Sequence, residues 1–300
     1  MDEMMRSADK PATAKSEVLS PPRKKSESLP QANISDGASK ILNTQDSTIN
    51  NDFLRDSYLT SKNLRAFIDT AKQHPEKGGY WYAYMAGSYC AQVHLFQQGA
   101  PEISLRAEPQ IIVKPDSDPE VNQRRQRDLD EITSKCQGVT KDDFSRPSLS
   151  VEMRGAKDVA WAAMAAYDEP DIGKKTTLLK ALLDLNDPFL IRDAGMPLIN
   201  NSTLDGSFYE GVLVPLPIIN AAWSLMPCTL GTPCGTENPL VKLECAIRSQ
   251  CYNDLESLLF NTGGATFNAV DRARIVSLSK SMSDSVRNKN VAAFLPPSKK

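Results

Sequence analysis

Residues 151–194 read VEMRGAKDVAWAAMAAYDEPDIGKKTTLLKALLDLNDPFLIRDA, and this stretch decides the fold class. Its first part is Ala-rich and ends at Pro170, which predicts a helix that stops there. Over Ile172–Leu185, the side chains Leu178, Leu179, Leu182 and Leu183 recur at helical spacing and share one face. Asp187 then Pro188 is a cap followed by a first-turn proline, and predicts a new helix through Ala194. Short helices separated by breaks of a few residues run back beside one another, so antiparallel neighbours are expected.

The same grammar extends in both directions. Upstream, Ser61 is read as the cap of a helix carrying Leu64, Phe67, Ile68 and Ala71, ended by His74-Pro75 and Gly78-Gly79. The following YWYAYMAGSYCAQVHLFQ (80–97) is apolar nearly all round, the pattern of a central helix. Its small residues Ala83, Ala86, Gly87 and Ala91 would let a neighbour approach closely. Gly99, Pro101, Pro109 and Pro115 then break the chain, and the β-rich Gln110–Val113 predicts one short strand near 110–113. Asp118-Pro119 opens a polar helix through Lys135 with a narrow stripe of Val121, Leu129 and Ile132.

Downstream, NNSTLDGSFYEG (200–211) reads as a loop. Leu216–Met226 reads as an apolar helix ending at Pro227-Cys228. Asn238-Pro239 caps the next, with Leu240, Leu243 and Ala246. Asn253 with Glu256 predicts a capping-box start for Leu255–Phe260. A last helix over Thr266–Val286 has Phe267, Val270, Ile275, Leu278 and Met282 as its stripe.

The expected fold is therefore mainly all-α: antiparallel helical hairpins, solenoid-like or in an irregular bundle, stapled by disulfides. Residues 1–51 hold no aromatic residue and no cysteine, and PPRKK at Pro21–Lys25 reads as a solvated charge run. That stretch is expected to be a disordered tail. The helical domain spans 52–290, with N-terminal helices over 52–146, hairpins over 150–290 and a cysteine module at 223–260. The tail from 291 to 300 is expected to fray.

The 300-residue chain is 40% hydrophobic, enough for a sizeable core. A net charge of −2 gives no basic footprint for nucleic acid and no polybasic drive toward an anionic membrane, so neither partner is expected. No apolar run reaches the roughly 18 residues of a membrane helix. The opening MDEMMRSADK is polar, without the apolar core of a secretory signal, so an exported chain is expected to have a removed leader or a different start.

Six cysteines are present: Cys90, Cys136, Cys228, Cys234, Cys245 and Cys251. The last four form C-x5-C-x10-C-x5-C, and an oxidising compartment would join them as disulfides. Gly231 and Pro233 let CTLGTPC fold back, and CAIRSQC places its cysteines about one and a half helical turns apart. Cys228–Cys234 and Cys245–Cys251 are the preferred pairs, although spacing alone leaves the crossed pairings open. Cys90 on the central helix and Cys136 at the end of the polar helix are natural partners. That bond would close a loop of about 45 residues and contribute roughly 3–4 kcal/mol. The alternative, four clustered thiolates on zinc, runs against the C-x(2–4)-C pairs that such sites favour.

The segment WSLMPCTLGTPCGTENPLVKLECAIRSQC (223–251) resembles the C-terminal four-cysteine module of uncharacterised exported proteins from Gram-negative bacteria. The short Ala/Leu-rich helix pairs resemble α-solenoids of the tetratricopeptide or Sel1-like kind. Together these resemblances imply a bacterial envelope protein with a helical-hairpin body, periplasmic or secreted, and no particular activity.

Sets of residues able to carry chemistry are few. Cys90 and His94 share a helix face, as a metal or thiolate–imidazole pair would, but read better as a cystine beside a helix histidine. His74, before Pro75, reads as an exposed helix-end residue. Glu152, Asp158, Glu169 and Asp205 are candidate carboxylates for glycan cleavage, although 37 acidic residues make any such choice unspecific. Gly173–Thr177 has the ending of a phosphate loop without its upstream glycine. No catalytic set, cofactor or metal is therefore expected. The leading expectation is a non-enzymatic binding or scaffold protein of the cell envelope that meets another protein through a helical surface. An exported carboxylate-dependent hydrolase and a secreted effector are the competing expectations.

Overall fold

The computed structural model describes residues 52–98, 118–153, 156–166, 169, 171–199, 206–262 and 267–296. The expected tail at 1–51 and the expected strand at 110–113 lie outside these residues. Among them are thirteen α-helices and one two-stranded antiparallel sheet, and the three cysteine pairs close as disulfides.

The chain begins with α1 (Asp52–Thr60) and α2 (Leu64–Ala71). Leu64, Phe67, Ile68 and Ala71 are buried, as their spacing predicts. The cap of α2 is Asn63, whose Oδ1 accepts the Ala66 N–H at 3.0 Å, and not Ser61. Ser61 lies two positions too early and accepts the Asn63 N–H instead. Gly78, at φ 77°, turns the chain into α3 (Gly79–Gln98). A Cβ on Gly79 would lie 1.8 Å from the Ala71 carbonyl oxygen, so only glycine admits this approach.

Helix α3 is the central element. Trp81, Tyr82, Ala83, Ala86, Cys90 and Val93 are all buried. Packed on it are α2 and the single turn α5 (Lys141–Phe144). A Cβ on Gly87 would meet Phe144 Cβ at 2.7 Å, so the small-residue patch does admit a close neighbour.

Helix α4 (Pro119–Lys135) is capped by Asp118, whose Oδ1 accepts the Glu120 N–H at 2.8 Å. Its buried residues are Ile132 and Asp128, so packing holds little of it. It is fixed in other ways. Cys136, at its C-terminal cap, is bonded to Cys90, with Cα atoms 5.4 Å apart. Arg124 donates to the Tyr252 carbonyl at 2.7 Å and Arg125 to the Ala246 carbonyl at 3.3 Å.

The Ala-rich stretch is not one helix up to Pro170. It divides between α6 (Arg146–Glu152) and α7 (Val159–Ala165). The reason is Asp158, a buried carboxylate serving two helix starts. Its Oδ1 accepts the Trp161 N–H at 2.9 Å and so caps α7. Its Oδ2 accepts the N–H groups of Tyr80 and Trp81, at 2.8 and 3.2 Å, at the start of α3. Burial pushes this carboxyl up to about 6, against the opposing effect of the N–H donors.

That shift has a defined sign. The folded value lies above the unfolded one, so the fold binds the extra proton between the two. The group's contribution to stability is therefore greatest below about pH 4 and falls by roughly 3 kcal/mol as pH rises through about 6. Asp158→Asn titrates nowhere in this range. The wild-type advantage over that variant, measured by urea unfolding, should shrink by that amount between pH 4 and pH 7. A constant difference would show that the carboxyl keeps its ordinary value.

Next come α8 (Ile172–Asp184) and α9 (Pro188–Ile199). Leu178, Leu179, Leu182 and Leu183 are buried as expected. Asp187 caps α9 through the Phe189 N–H at 2.9 Å and accepts the Tyr82 hydroxyl at 2.7 Å inside the core. One carboxylate thus ties α9 to α3.

Part of the expected loop is a hairpin, β1 (Gly206–Tyr209) with β2 (Val212–Pro215). Glu210 and Gly211 make its turn, both at positive φ, 49° and 77°. Such a two-residue turn matches the twist of the flanking strands. Residues 200–205 lie outside the description.

Helix α10 (Leu216–Thr229) continues past Pro227, one turn beyond its expected end at Met226. The rest of the chain forms α11 (Pro239–Arg248), α12 (Leu255–Asn261) and α13 (Ala269–Arg287). The cap of α12 is Asp254, accepting the Ser257 N–H at 2.6 Å, where Asn253 had been expected. The cap of α13 is Asn268, and Val270, on the expected stripe, is 76% exposed. Its buried face is Ile275, Ser279, Met282, Ser283 and Val286. The serines let it lie close against α10, where Ser283 Oγ donates to the Met226 carbonyl at 3.1 Å.

The tail does not fray over Val291–Phe294. That segment is a 3-10 turn whose Phe294 is fully buried against Trp223, with ring centroids 5.4 Å apart. Residues 297–300 lie outside the description. In the bundle α4 packs on α11 and α10 on α13, pairs far apart in sequence.

Candidate functional site

The cysteine module brings the chain into two short cross-links. Cys228, in the last turn of α10, is bonded to Cys234 with Cα atoms 5.5 Å apart. Cys245, inside α11, is bonded to Cys251 with Cα atoms 4.2 Å apart. Both preferred pairings are the ones found, and no thiolate is left for zinc. The same bonds hold the start of α12 in place. The Leu255 N–H donates to the Cys234 carbonyl at 2.8 Å, and Gly235 bridges to Asp254.

Helix α12 is thereby set alongside α13, with a groove between them. Leu255 and Leu258 are buried, while Glu256, Ser257 and Asn261 face the groove from α12. Arg272, Val276 and Lys280 face it from α13, and Phe260 forms part of its wall. Its volume is about 600 Å³. The Arg272 guanidinium lies 5.2 Å above the Phe260 ring and donates to the Phe267 carbonyl at 3.1 Å.

The groove continues into an inner pocket of about 380 Å³. Glu256, Val276 and Lys280 line both spaces. Leu225, Cys228 and Cys234 make the inner wall, and Ser279 adds a buried hydroxyl without a partner. Among the described residues, neither Glu256 nor Lys280 has an ion-pair partner. Among the described residues, the groove thus offers two cations without a carboxylate partner, Arg272 and Lys280, one anion without a cation, Glu256, and an apolar end.

A second pocket, of about 260 Å³, lies where α4 meets α11. Its charges are already committed. Glu131 receives Lys135 at 2.7 Å and Lys242 at 2.9 Å, and Lys242 also reaches Glu237 at 2.8 Å. Burial alone would raise the Glu131 carboxyl, but the two lysines outweigh it and hold it below the ordinary range. This cluster fastens α4 to the module.

The other candidate residues are dispersed. Glu152 pairs with Lys72 at 2.7 Å, Glu169 with Lys174 at 3.3 Å, and Asp158 is taken up by backbone N–H groups. Asp205 lies outside the described residues. Cys90 is in a disulfide, so His94 has no thiolate beside it. His74 sits 3.5 Å from Glu76. Gly173 and Lys174 give their N–H groups to the Asp171 cap, leaving them no role in holding a phosphate. Among the described residues, no group of three or more His, Cys, Asp or Glu side chains is placed to hold a metal ion, and no helix is long and apolar enough to cross a membrane.

No family model matches the chain, and neither a curated protein nor a solved structure gives a significant match.

The groove residues were not singled out by the sequence. Glu256 reads as a capping residue, and Arg272 and Lys280 read as the solvated face of an amphipathic helix. Only the apolar Phe260 and the module's cysteines carry a signal at sequence level.

Proposed function

We propose that this protein is a non-enzymatic binding protein of an oxidising compartment, the bacterial cell envelope, and that it takes an extended segment of another protein into the groove between α12 and α13. The groove, open along its length and ending in an apolar pocket, is the observation that carries this reading. Its shape suits a chain with one apolar anchor side chain, and the unpaired Glu256 and Lys280 suit a polar backbone with charges of both signs. Three disulfides suit a chain that matures outside the reducing cytosol. The resemblance of the 223–251 segment to exported Gram-negative proteins supports the envelope.

The test is a displayed library of random peptides, selected in parallel against the wild type and Val276→Arg. The arginine side chain would fill the passage between groove and inner pocket. Enrichment of sequences that bind the wild type and lose about tenfold or more in affinity for the variant is expected, the scale of one blocked anchor pocket. Sequences that bind both proteins equally would contradict the groove. Release of soluble fragments from peptidoglycan, or ester cleavage, by the pure protein would contradict the non-enzymatic reading.

A further inference from the structure

We infer that the Cys228–Cys234 disulfide is a thiol–disulfide exchange site, opened reversibly by a peptide thiol that enters the inner pocket. This goes beyond the binding role and does not rest on it. The three disulfides differ in their surroundings. Cys90, Cys136 and Cys245 are fully buried, so the Cys245–Cys251 bond is part-exposed at Cys251 alone. Cys228 and Cys234 are both part-exposed, and both line the inner pocket. A thiolate reaches a disulfide only where the bond is accessible, so this bond, part-exposed at both of its cysteines, is the one most open to attack.

The site also favours one direction of cleavage. Cys228 lies in the last turn of α10, where the helix dipole disfavours a thiolate. Cys234 lies in the following loop with the Thr232 hydroxyl 4.0 Å from its sulfur. The incoming thiolate therefore bonds to Cys228 Sγ. The Sγ–Sγ bond breaks, and its electron pair leaves on Cys234 Sγ as a thiolate that Thr232 can hydrogen-bond. A second thiolate then attacks the mixed disulfide. It releases the oxidised thiol dimer and a Cys228 thiolate, and both cysteines take protons from solvent. The protein disulfide is reduced and two thiols are oxidised.

Opening the bond leaves the loop anchored. Thr232 N–H still donates to the Pro227 carbonyl at 3.1 Å, and Asn238 Nδ2 to the Pro233 carbonyl at 2.9 Å. Leu255 N–H still holds the Cys234 carbonyl. The bond spans only six positions, so its loss frees little chain. The chemical class of the thiol follows from the mouth of the pocket. Lys280 and Glu256 are both unpaired there and complement the carboxylate and ammonium of a zwitterionic peptide thiol. The volume of about 380 Å³ suits one of tripeptide size.

The experiment treats the native full chain with graded reduced glutathione, 2-mercaptoethanol or a cysteine-containing decapeptide. It is quenched with acid, alkylated and mapped by mass spectrometry. Cys228 and Cys234 should become alkylated about tenfold faster than the other four cysteines, with far-ultraviolet circular dichroism unchanged and the transient adduct on Cys228. Lys280→Gln should slow glutathione about threefold, the scale of one exposed ion pair, and leave 2-mercaptoethanol unchanged. A faster reaction with glutathione than with the decapeptide is expected, and the reverse order would overturn the assignment to a thiol of tripeptide size. Earlier opening of Cys245–Cys251, or reduction of all three bonds together with loss of helicity, would overturn the inference. Equal slowing of both small thiols by Lys280→Gln would do the same.

Discussion

The double variant Cys90→Ala/Cys136→Ala should lose about 4 kcal/mol of unfolding free energy, a large share of the stability margin of an ordinary domain. Helix α4 is polar along most of its length and buries Ile132 and Asp128. So little apolar burial cannot hold a helix of 17 residues against the entropy of its release. The disulfide spans 46 positions and removes that freedom from the unfolded chain. The remaining fastenings are Arg124, Arg125 and the Glu131–Lys242 pair, part-exposed contacts worth about 1 kcal/mol or less apiece. Urea unfolding measures the loss, and hydrogen exchange should show 119–135 opening ahead of the rest. The Cys228→Ala/Cys234→Ala variant, with a span of six, should lose only about 2 kcal/mol. A long-span loss below about 1 kcal/mol would mean that packing holds α4 after all.

Trp223→Ala is the second large effect, at about 3–5 kcal/mol. Trp223 is fully buried on α10, and its ring meets Phe294 edge to face. Its Nε1–H donates to the Arg192 carbonyl at 2.7 Å. On α9 the missing side chain of Gly195 makes room for it, since a Cβ there would lie 2.8 Å from the ring. The indole therefore locks α9, α10 and the Val291–Phe294 turn into one core. Trp223→Phe separates the parts. It retains ring burial but removes the indole donor from the Arg192 carbonyl, which should cost about 1 kcal/mol. Both values come from denaturant midpoints with unchanged m. An alanine loss below about 1.5 kcal/mol would show that the three elements do not share this anchor.

Much of the fold is written locally in the sequence. The leucine face of α8, the Asp118-Pro119 start of α4 and the small-residue patch of α3 are all properties of a few neighbouring residues, and each is found as read. The cysteine pairs were legible for the same reason: two are six positions apart, and the third joins a core helix to a helix that packs poorly. What escaped depends on distant partners. The hairpin at 206–215 is rich in small polar residues and reads as a loop until its turn at Glu210-Gly211 brings Tyr209 beside Val212. The break before α7 exists because Asp158 reaches back to α3, nearly eighty positions away in sequence. Phe294 looks like a loose end until Trp223 is known to lie beneath it. The expected stripe of α13 included Val270, because apolar spacing marks a helix face but does not reveal that serines would be chosen for close contact with α10. The groove was illegible because its polar residues look like any solvated helix surface; only the placement of α12 by the Cys234 and Gly235 backbone sets that exposed surface beside α13.

Three specific disulfides close this helical protein, and digestion under non-reducing conditions with mass spectrometry tests them most directly. The protein, purified with thiols blocked at lysis, should yield three cross-linked peptide pairs, Cys90 with Cys136, Cys228 with Cys234 and Cys245 with Cys251, and no alkylated cysteine. Six alkylated cysteines, or crossed links within the 228–251 module, would contradict these pairings.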